Sequence, residues 1–425
     1  MKSLRRFLLL VMVMSLPLCV LAADKTDSPS FNSPLNAGPK PISQEIGQIA
    51  KLTPANGSVD LGTSVAIDGN VVVVGAKGAA YVYVKPLNGW QDMTQTATLS
   101  PSIGINGFGT SVAISGNIIL VGAPGANDGE LGKVFAYVKP SRGWKNMTET
   151  AQLVPSDGAP NDDFGISVSI SGGTAVVGAD QLLMPGNGAA YVFTAPKKDW
   201  STLAGITLTE TAKLVASNGA IGAAFGSGVA ISTKIVAVGA ADANEAYVFV
   251  KPPGGWNNMT ETAQLMPSDA GGFLGEYIST NGDTIVAGAP FAGQNERRIT
   301  GAAYVFVEPA GGWTDITETA QLLPSTNPGT MNGPVTIDTT GHYIGAGSPF
   351  GYGNGDQSGQ VYLFFKPSGG WRTTAMSQKI FSSDGEFEDS FGVSVGISGQ
   401  TLVAGAPGAH VGNQRPGAGY VFGSK

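Results

Sequence analysis

Beyond residue 47 the chain is a succession of short apolar runs separated by glycine-marked turns, and the runs come in four kinds. The first alternates: in Ser111-Val112-Ala113-Ile114-Ser115, Val112 and Ile114 share one face, and Ser111 and Ala113 the other. Period-two alternation predicts a strand. A two-residue turn follows, Ser115-Gly116 here and Asp68-Gly69 earlier, where glycine accepts the positive φ of a tight hairpin. The second run is continuously apolar (Val71–Val74, Ile118–Val121, Ile235–Val238), as expected of a strand covered on both faces. The third, of the type Ala-Tyr-Val-Phe-Val, is aromatic and β-branched, suited to the interior of a sheet. The fourth, Thr-Ala-Gln-Leu, is shorter and more polar, as at a sheet edge.

The four runs recur as a unit. The phrase around Thr-Ala-Gln-Leu returns at Ile49–Gly57, Thr96–Gly104, Thr150–Gly158, Thr211–Gly219, Thr262–Ala270, Thr319–Asn327 and Ser377–Gly385. A repeat of roughly 50 residues with four strands is a small antiparallel sheet that cannot cover its own two faces. Seven such sheets around an axis cover one another, so the predicted fold is all-β, a seven-bladed β-propeller of four-stranded antiparallel blades. The last unit ends at Tyr420-Val421-Phe422, after its third strand, while Ile49–Leu52 precedes the first complete unit. Each strand type therefore numbers seven only if Ile49–Leu52 joins the C-terminal blade and closes the ring, removing an exposed edge.

Three phrases carry a resemblance to a known repeat. Phe-Gly-x-Ser-Val-x-Ile-Ser occurs at Phe108–Ser115, Phe164–Ser171 and Phe391–Ser398; Val-Gly-Ala-Pro at Val121–Pro124 has the counterpart Ala404–Pro407; and Gly301–Val307 reads Gly-Ala-Ala-Tyr-Val-Phe-Val. Together they resemble the FG-GAP repeat of integrin α-chain head propellers and of bacterial exported proteins, over about residues 47–425. Units five and six depart from it, with Phe273–Thr280 and Thr330–Asp338 in place of the Phe-Gly element, so irregular inner strands are expected there. The resemblance implies a seven-bladed propeller used in adhesion or ligand binding, without a shared chemistry. It also raises calcium, which in the integrin pattern sits on an Asp-x-Asp-x-Asp-Gly loop between the first two strands. Here that position holds two-residue turns, too short for six to eight oxygen ligands. No cofactor and no metal are therefore expected, and the acidic stretches Asn127–Glu130 and Asp384–Asp389 read as solvated loops.

Composition and the N-terminus bear on where the protein works. Basic Met1–Arg6 followed by apolar Phe7–Leu21 reads as a signal peptide over residues 1–23, and residues 24–46, rich in Ser, Pro, Asn and Gly, as a flexible leader. The expected product is secreted, cell-surface or periplasmic, with no transmembrane segment after cleavage. Cys19 is the single cysteine and leaves with the signal unless it is lipid-modified, so neither disulfides nor thiolate chemistry are expected in the mature chain. Charged residues make up 13% of the chain and the net charge is −7, which argues against nucleic acid as a partner.

In an up-and-down blade the loops joining second and third strands share one rim with the blade-to-blade links. Those loops vary most, and variable polar loops on a rigid scaffold are where binding resides. The candidate ligand-binding residues on this rim are Asp128, Glu130, Asn295, Glu296, Arg297, Arg298, Tyr352, Asp356, His410 and Arg415. The opposite rim carries Trp90, Trp144, Trp200, Trp256, Trp313 and Trp371 at intervals of 54 to 58 residues. Phased tryptophans either pack between blades or, exposed, stack on sugar rings. The function expected is an exported, non-catalytic binding or adhesion module, monomeric, engaging a protein partner by the variable rim; the alternative is a carbohydrate-binding propeller using the tryptophans. Asn56, Asn146 and Asn258 match glycosylation acceptors, but fall within the repeat phrase. Catalysis finds little support: His342 and His410 lie in different units, no nucleophile or metal-protease motif is present, and the inner strands offer Ser, Val, Ala and Ile rather than paired acids.

Overall fold

The computed structural model describes residues 46–424, apart from 56, 58, 126–128, 182–185, 197–198, 220, 270, 294–299, 325–330 and 354–355. The signal and leader, residues 1–45, thus lie outside the described residues, and the propeller begins at Ile46, inside what reads in sequence as the last leader position.

Seven sheets follow one another, each with four antiparallel strands, which in the first six blades run in sequence order. Blade two is representative: Ser111–Ser115, Ile118–Ala123, Lys133–Val138 and Ala151–Leu153. The seventh blade is composite. Its first three strands are Ser394–Ser398, Thr401–Ala406 and Ala418–Ser424, and its fourth is Ile46–Thr53. This closing strand pairs antiparallel with the last one, Ile46 opposite Ser424 and Leu52 opposite Gly419, with a bulge between Gln48 and Ala50. The latch is eight residues long, twice the predicted Ile49–Leu52.

Six sheets carry a fifth, parallel strand donated by the next blade. Met147–Thr148, for example, leaves the loop after blade two's third strand and pairs with Leu99 and Ser100 of blade one. The Thr-Ala-Gln-Leu strand is therefore covered rather than free, contrary to its reading as an open edge. Blade six has four strands, because the third and fourth strands of blade seven are not joined by a loop that would supply one. Its outer strand is capped by the latch instead: Gln378 Nε2 donates to the Ile46 carbonyl (2.7 Å) and Gln48 Oε1 accepts from Ser383 N (2.9 Å).

The buried apolar side chains form seven clusters, each drawing on two neighbouring blades. Alternation along the continuous apolar runs explains this: Val72 and Val74 face blade seven, while Val73 between them faces blade two. The phrases that mark the repeat meet at the same joints. In blade one Gly75 lies so close to blade two that a Cβ there would stand 2.3 Å from the Gly109 carbonyl oxygen, and Ser64 Oγ donates to that oxygen at 2.8 Å. The ring closes through an identical contact, Ser394 Oγ to the Gly62 carbonyl at 2.7 Å, with Leu61 buried where blades two, three, four and seven have Phe. In unit five Leu274-Gly275 fills the Phe-Gly role, and Ser227 of blade four bonds to Gly275. Units five and six do have the shortest inner strands, Tyr277–Thr280 and Val335–Ile337.

Candidate functional site

All six tryptophans are buried, between 1% and 8% exposed, and each fills the joint between its own blade and the preceding one. They form no exposed sugar-stacking platform. The blade six–seven joint has no tryptophan and takes Ile46 from the latch. The residues after each Trp are equally structural. Asn146 Oδ1 accepts from Thr98 N (2.8 Å), Asn258 Oδ1 accepts from Lys213 N (2.8 Å), and Glu149 accepts from Ser102 N (2.9 Å) of the preceding blade. At the inner turn Asp68 Oδ2 accepts from Gly116 N of the next blade (2.6 Å), so that carboxylate also serves the ring. Among the described residues no group of three or more His, Cys, Asp or Glu is arranged to hold a metal ion.

The opposite rim differs. Asp128, Asn295, Glu296, Arg297 and Arg298 lie outside the described residues. Glu130 stands on blade two, where its Oε2 accepts from Asn106 N at 3.3 Å. Tyr352 on blade six, and His410 and Arg415 on blade seven, converge on the link that joins those blades, whereas Asp356 bonds within its own loop, its Oδ1 accepting from Gln357 N at 2.9 Å.

Local sequence sets this convergence. Within Pro407–Pro416, Val411 and Gln414 form an antiparallel bridge across Gly412-Asn413, with Gly412 at φ 61°. A two-residue turn makes the next pair outward His410 and Arg415, and Arg415 Nε donates to His410 Nε2 at 2.9 Å. An acceptor at Nε2 places the ring proton on Nδ1, which faces Glu386 Oε2 at 3.3 Å and Asp389 Oδ1 at 3.7 Å. Arg415 also donates to the Phe387 carbonyl (3.2 Å) and lies 3.7 Å from Glu388 Oε2. On the blade-six side the Gln357 carbonyl accepts from Glu388 N (3.3 Å) and Gln357 Nε2 donates to Tyr352 Oη (3.2 Å). From the latch, Lys51 Nζ reaches the His410 carbonyl (2.7 Å) and Asp384 (2.6 Å).

Asp389 is the buried member, at 1% exposure, and corrects the reading of Asp384–Asp389 as a wholly solvated loop. Blade three contains its counterpart, Asp162, two residues before Phe164 as Asp389 is before Phe391. Each closes the same turn: Ala159 N donates to Asp162 Oδ2 (2.7 Å) and Glu386 N to Asp389 Oδ2 (2.9 Å). The second oxygens differ. Asp162 Oδ1 accepts from Gln181 Nε2 at 3.0 Å, and Gln181 N bonds to the Asp162 carbonyl. In blade seven Gly408 makes that backbone bond and has no side chain, so Asp389 Oδ1 has no hydrogen-bond partner. Burial pushes the Asp389 carboxyl above the ordinary aspartate range, against the bond from Glu386 N and the pull of His410 and Arg415.

Around these groups Tyr352, Phe381, Phe387 and Val411 are 39% to 48% exposed. Sequence reasoning singled out the two loops, read the Asp384–Asp389 stretch with Glu386, Phe387 and Glu388 as solvated, and missed Phe381. The available signal was Phe387 set among acids in a link, which a solvated loop does not require.

The FG-GAP repeat model matches residues 94–138, 147–193, 208–249 and 375–422. No curated protein matches the chain in sequence. Among solved structures the chain is similar to the crystal structure of the WD40 domain from Toxoplasma gondii coronin, with a TM-score of 0.51 and 9% identity over 91% of this chain and 88% of that one. At that identity the likeness is one of fold. The protein carries four FG-GAP repeats in a seven-bladed β-propeller.

Proposed function

We propose that this chain is an exported, non-catalytic binding module that engages a protein partner through the rim where blades six and seven meet. The observation that carries the reading is the exposure of four large apolar side chains, Tyr352, Phe381, Phe387 and Val411, around one joint of a chain whose other repeat features are used up in holding blades together. Aromatic groups beside Arg415, on loops held by rigid sheets, have the composition of a protein-recognition surface. Export rests on the basic, then apolar, N-terminal sequence. A sugar-binding role for the tryptophans has lost its basis, since their faces are packed between blades.

The test is affinity capture from extracts and culture medium of the source cells. The bait is the full chain, compared with a Tyr352→Ser/Phe387→Ser variant and with Leu87→Ser on the opposite rim, where Leu87 is also exposed. The reading expects a protein retained by the parent and by Leu87→Ser and lost from the double variant. Equal capture by all three, or capture by none, overturns it.

A further inference from the structure

The joint between blades six and seven carries a charge imbalance as well as an apolar surface. Its link and loops bring Asp384, Glu386, Glu388 and Asp389 together against Lys51, Lys379 and Arg415, so carboxylates outnumber cations four to three. The cations are largely committed. Lys51, 16% exposed, is held by Asp384 and the His410 carbonyl, and Lys379 by the Tyr352 carbonyl at 2.8 Å. Arg415 is divided among His410, the Phe387 carbonyl and Glu388. Glu386 and Glu388 remain 64% and 54% exposed, with His410 3.3 Å from the first and Arg415 3.7 Å from the second.

Beneath them sits the unpartnered Asp389 Oδ1, directed at His410 Nδ1. The blade-three counterpart shows that the repeat can satisfy this oxygen: one glutamine suffices there. Arg415 already engages His410 Nε2, and His410 Nδ1 stands 3.7 Å from Asp389 Oδ1, too far to satisfy it. The joint is therefore a negative, partly desolvated surface edged by Tyr352, Phe381, Phe387 and Val411. An apolar ligand alone would bury Glu386 and Glu388 without compensation, and an anionic one would be repelled.

We propose that this surface binds a cationic protein segment, in which a Lys or Arg lies against Glu386 and Glu388 while adjacent large apolar side chains cover Phe387 and Tyr352. The cation supplies the charge the joint lacks; the apolar flank turns the exposed aromatic area into buried area. This rests on the protein-binding reading above, and it is the partner's chemistry that is added.

The test uses the full chain and fluorescein-labelled synthetic peptides of equal length, read by fluorescence anisotropy. One peptide alternates Lys or Arg with Phe or Leu, a second replaces the cations with Glu, and a third with Ser. The cationic peptide is expected to bind at least tenfold more tightly than the other two. Glu386→Gln/Glu388→Gln is expected to weaken it tenfold or more, and Phe387→Ser comparably. Glu130→Gln, a carboxylate removed from blade two, is expected to leave it within twofold. A cationic preference that survives Glu386→Gln/Glu388→Gln, or that falls equally with Glu130→Gln, overturns the proposal, as does equal binding of the three peptides or binding of none. If the protein captured above is lost with Tyr352→Ser/Phe387→Ser yet unchanged by Glu386→Gln/Glu388→Gln, the binding rim stands and the cationic partner falls.

Discussion

Two carboxylates at blade joints have opposite roles and should respond to pH in opposite directions. Burial pushes Glu149 up, but its bonds from Ser102 and Gln152 outweigh that and hold its carboxyl below the ordinary glutamate value of 4.5. Its contribution is present in full above that value and is lost as pH falls through the lowered one. Asp389 is raised above 3.8 by burial, so its ionised form costs stability at neutral pH, and the cost fades as pH falls through the raised value. In thermal unfolding followed across pH, Glu149→Gln is expected to cost about 1 kcal/mol near pH 7 and less toward pH 3. Asp389→Asn is expected to be neutral or stabilising near pH 7 and to lose that advantage in acid. The same slope for both would contradict the assignments. At this scale the sequence showed which residues recur, Phe-Gly in one phrase and Gly-Ala in another, but not that Gly109 of one blade seats on Gly75 of its neighbour. Such a contact joins strands 34 residues apart through backbone, and backbone leaves no compositional trace.

Among elements, the loop between third and fourth strands does more than turn the chain. It carries a Trp into the preceding joint, lends a parallel strand to the preceding sheet, and caps that sheet's outer strand with Asn146 and Glu149 or their equivalents. Trp144→Ala should empty the joint between blades one and two and cost about 3–5 kcal/mol, read as a lowered midpoint in denaturant with little change in slope. A cost under about 1 kcal/mol would mean that Trp144 does not fill that joint. The period of the tryptophans was plain in sequence, and their burial was not. A phased Trp is equally compatible with a packed joint and an exposed ring, and only the neighbouring blade's position decides between them. The same holds for the rim: Tyr352 and His410 read as members of variable loops 58 residues apart, and the link through Glu388 makes them one surface.

For the whole molecule, closure is non-covalent and depends on two contacts between the ends of the propeller, the latch strand and the Gly62–Gly405 joint. A Cβ at Gly405 would stand 2.0 Å from the Gly62 carbonyl oxygen, with backbone on both sides unable to withdraw. Gly405→Ala is therefore expected to destabilise the ring by about 3 kcal/mol, and faster hydrogen exchange should begin in Thr401–Ala406 and Ile46–Thr53 before the middle blades. Uniform exchange across all blades would show that the seam is no weaker than the rest. What the sequence determined unaided was the number of units, the strand types, their order and the need for an early strand to complete the last sheet, because these follow from periodicity and from counting. Tertiary structure alone decided that the tryptophans are sealed, that the polar outer strand is covered, and that an acidic link with exposed aromatics unites blades six and seven. The reason is physical: a repeat writes its own blade into local sequence, whereas what fills a joint or faces solvent depends on the surface of the next blade.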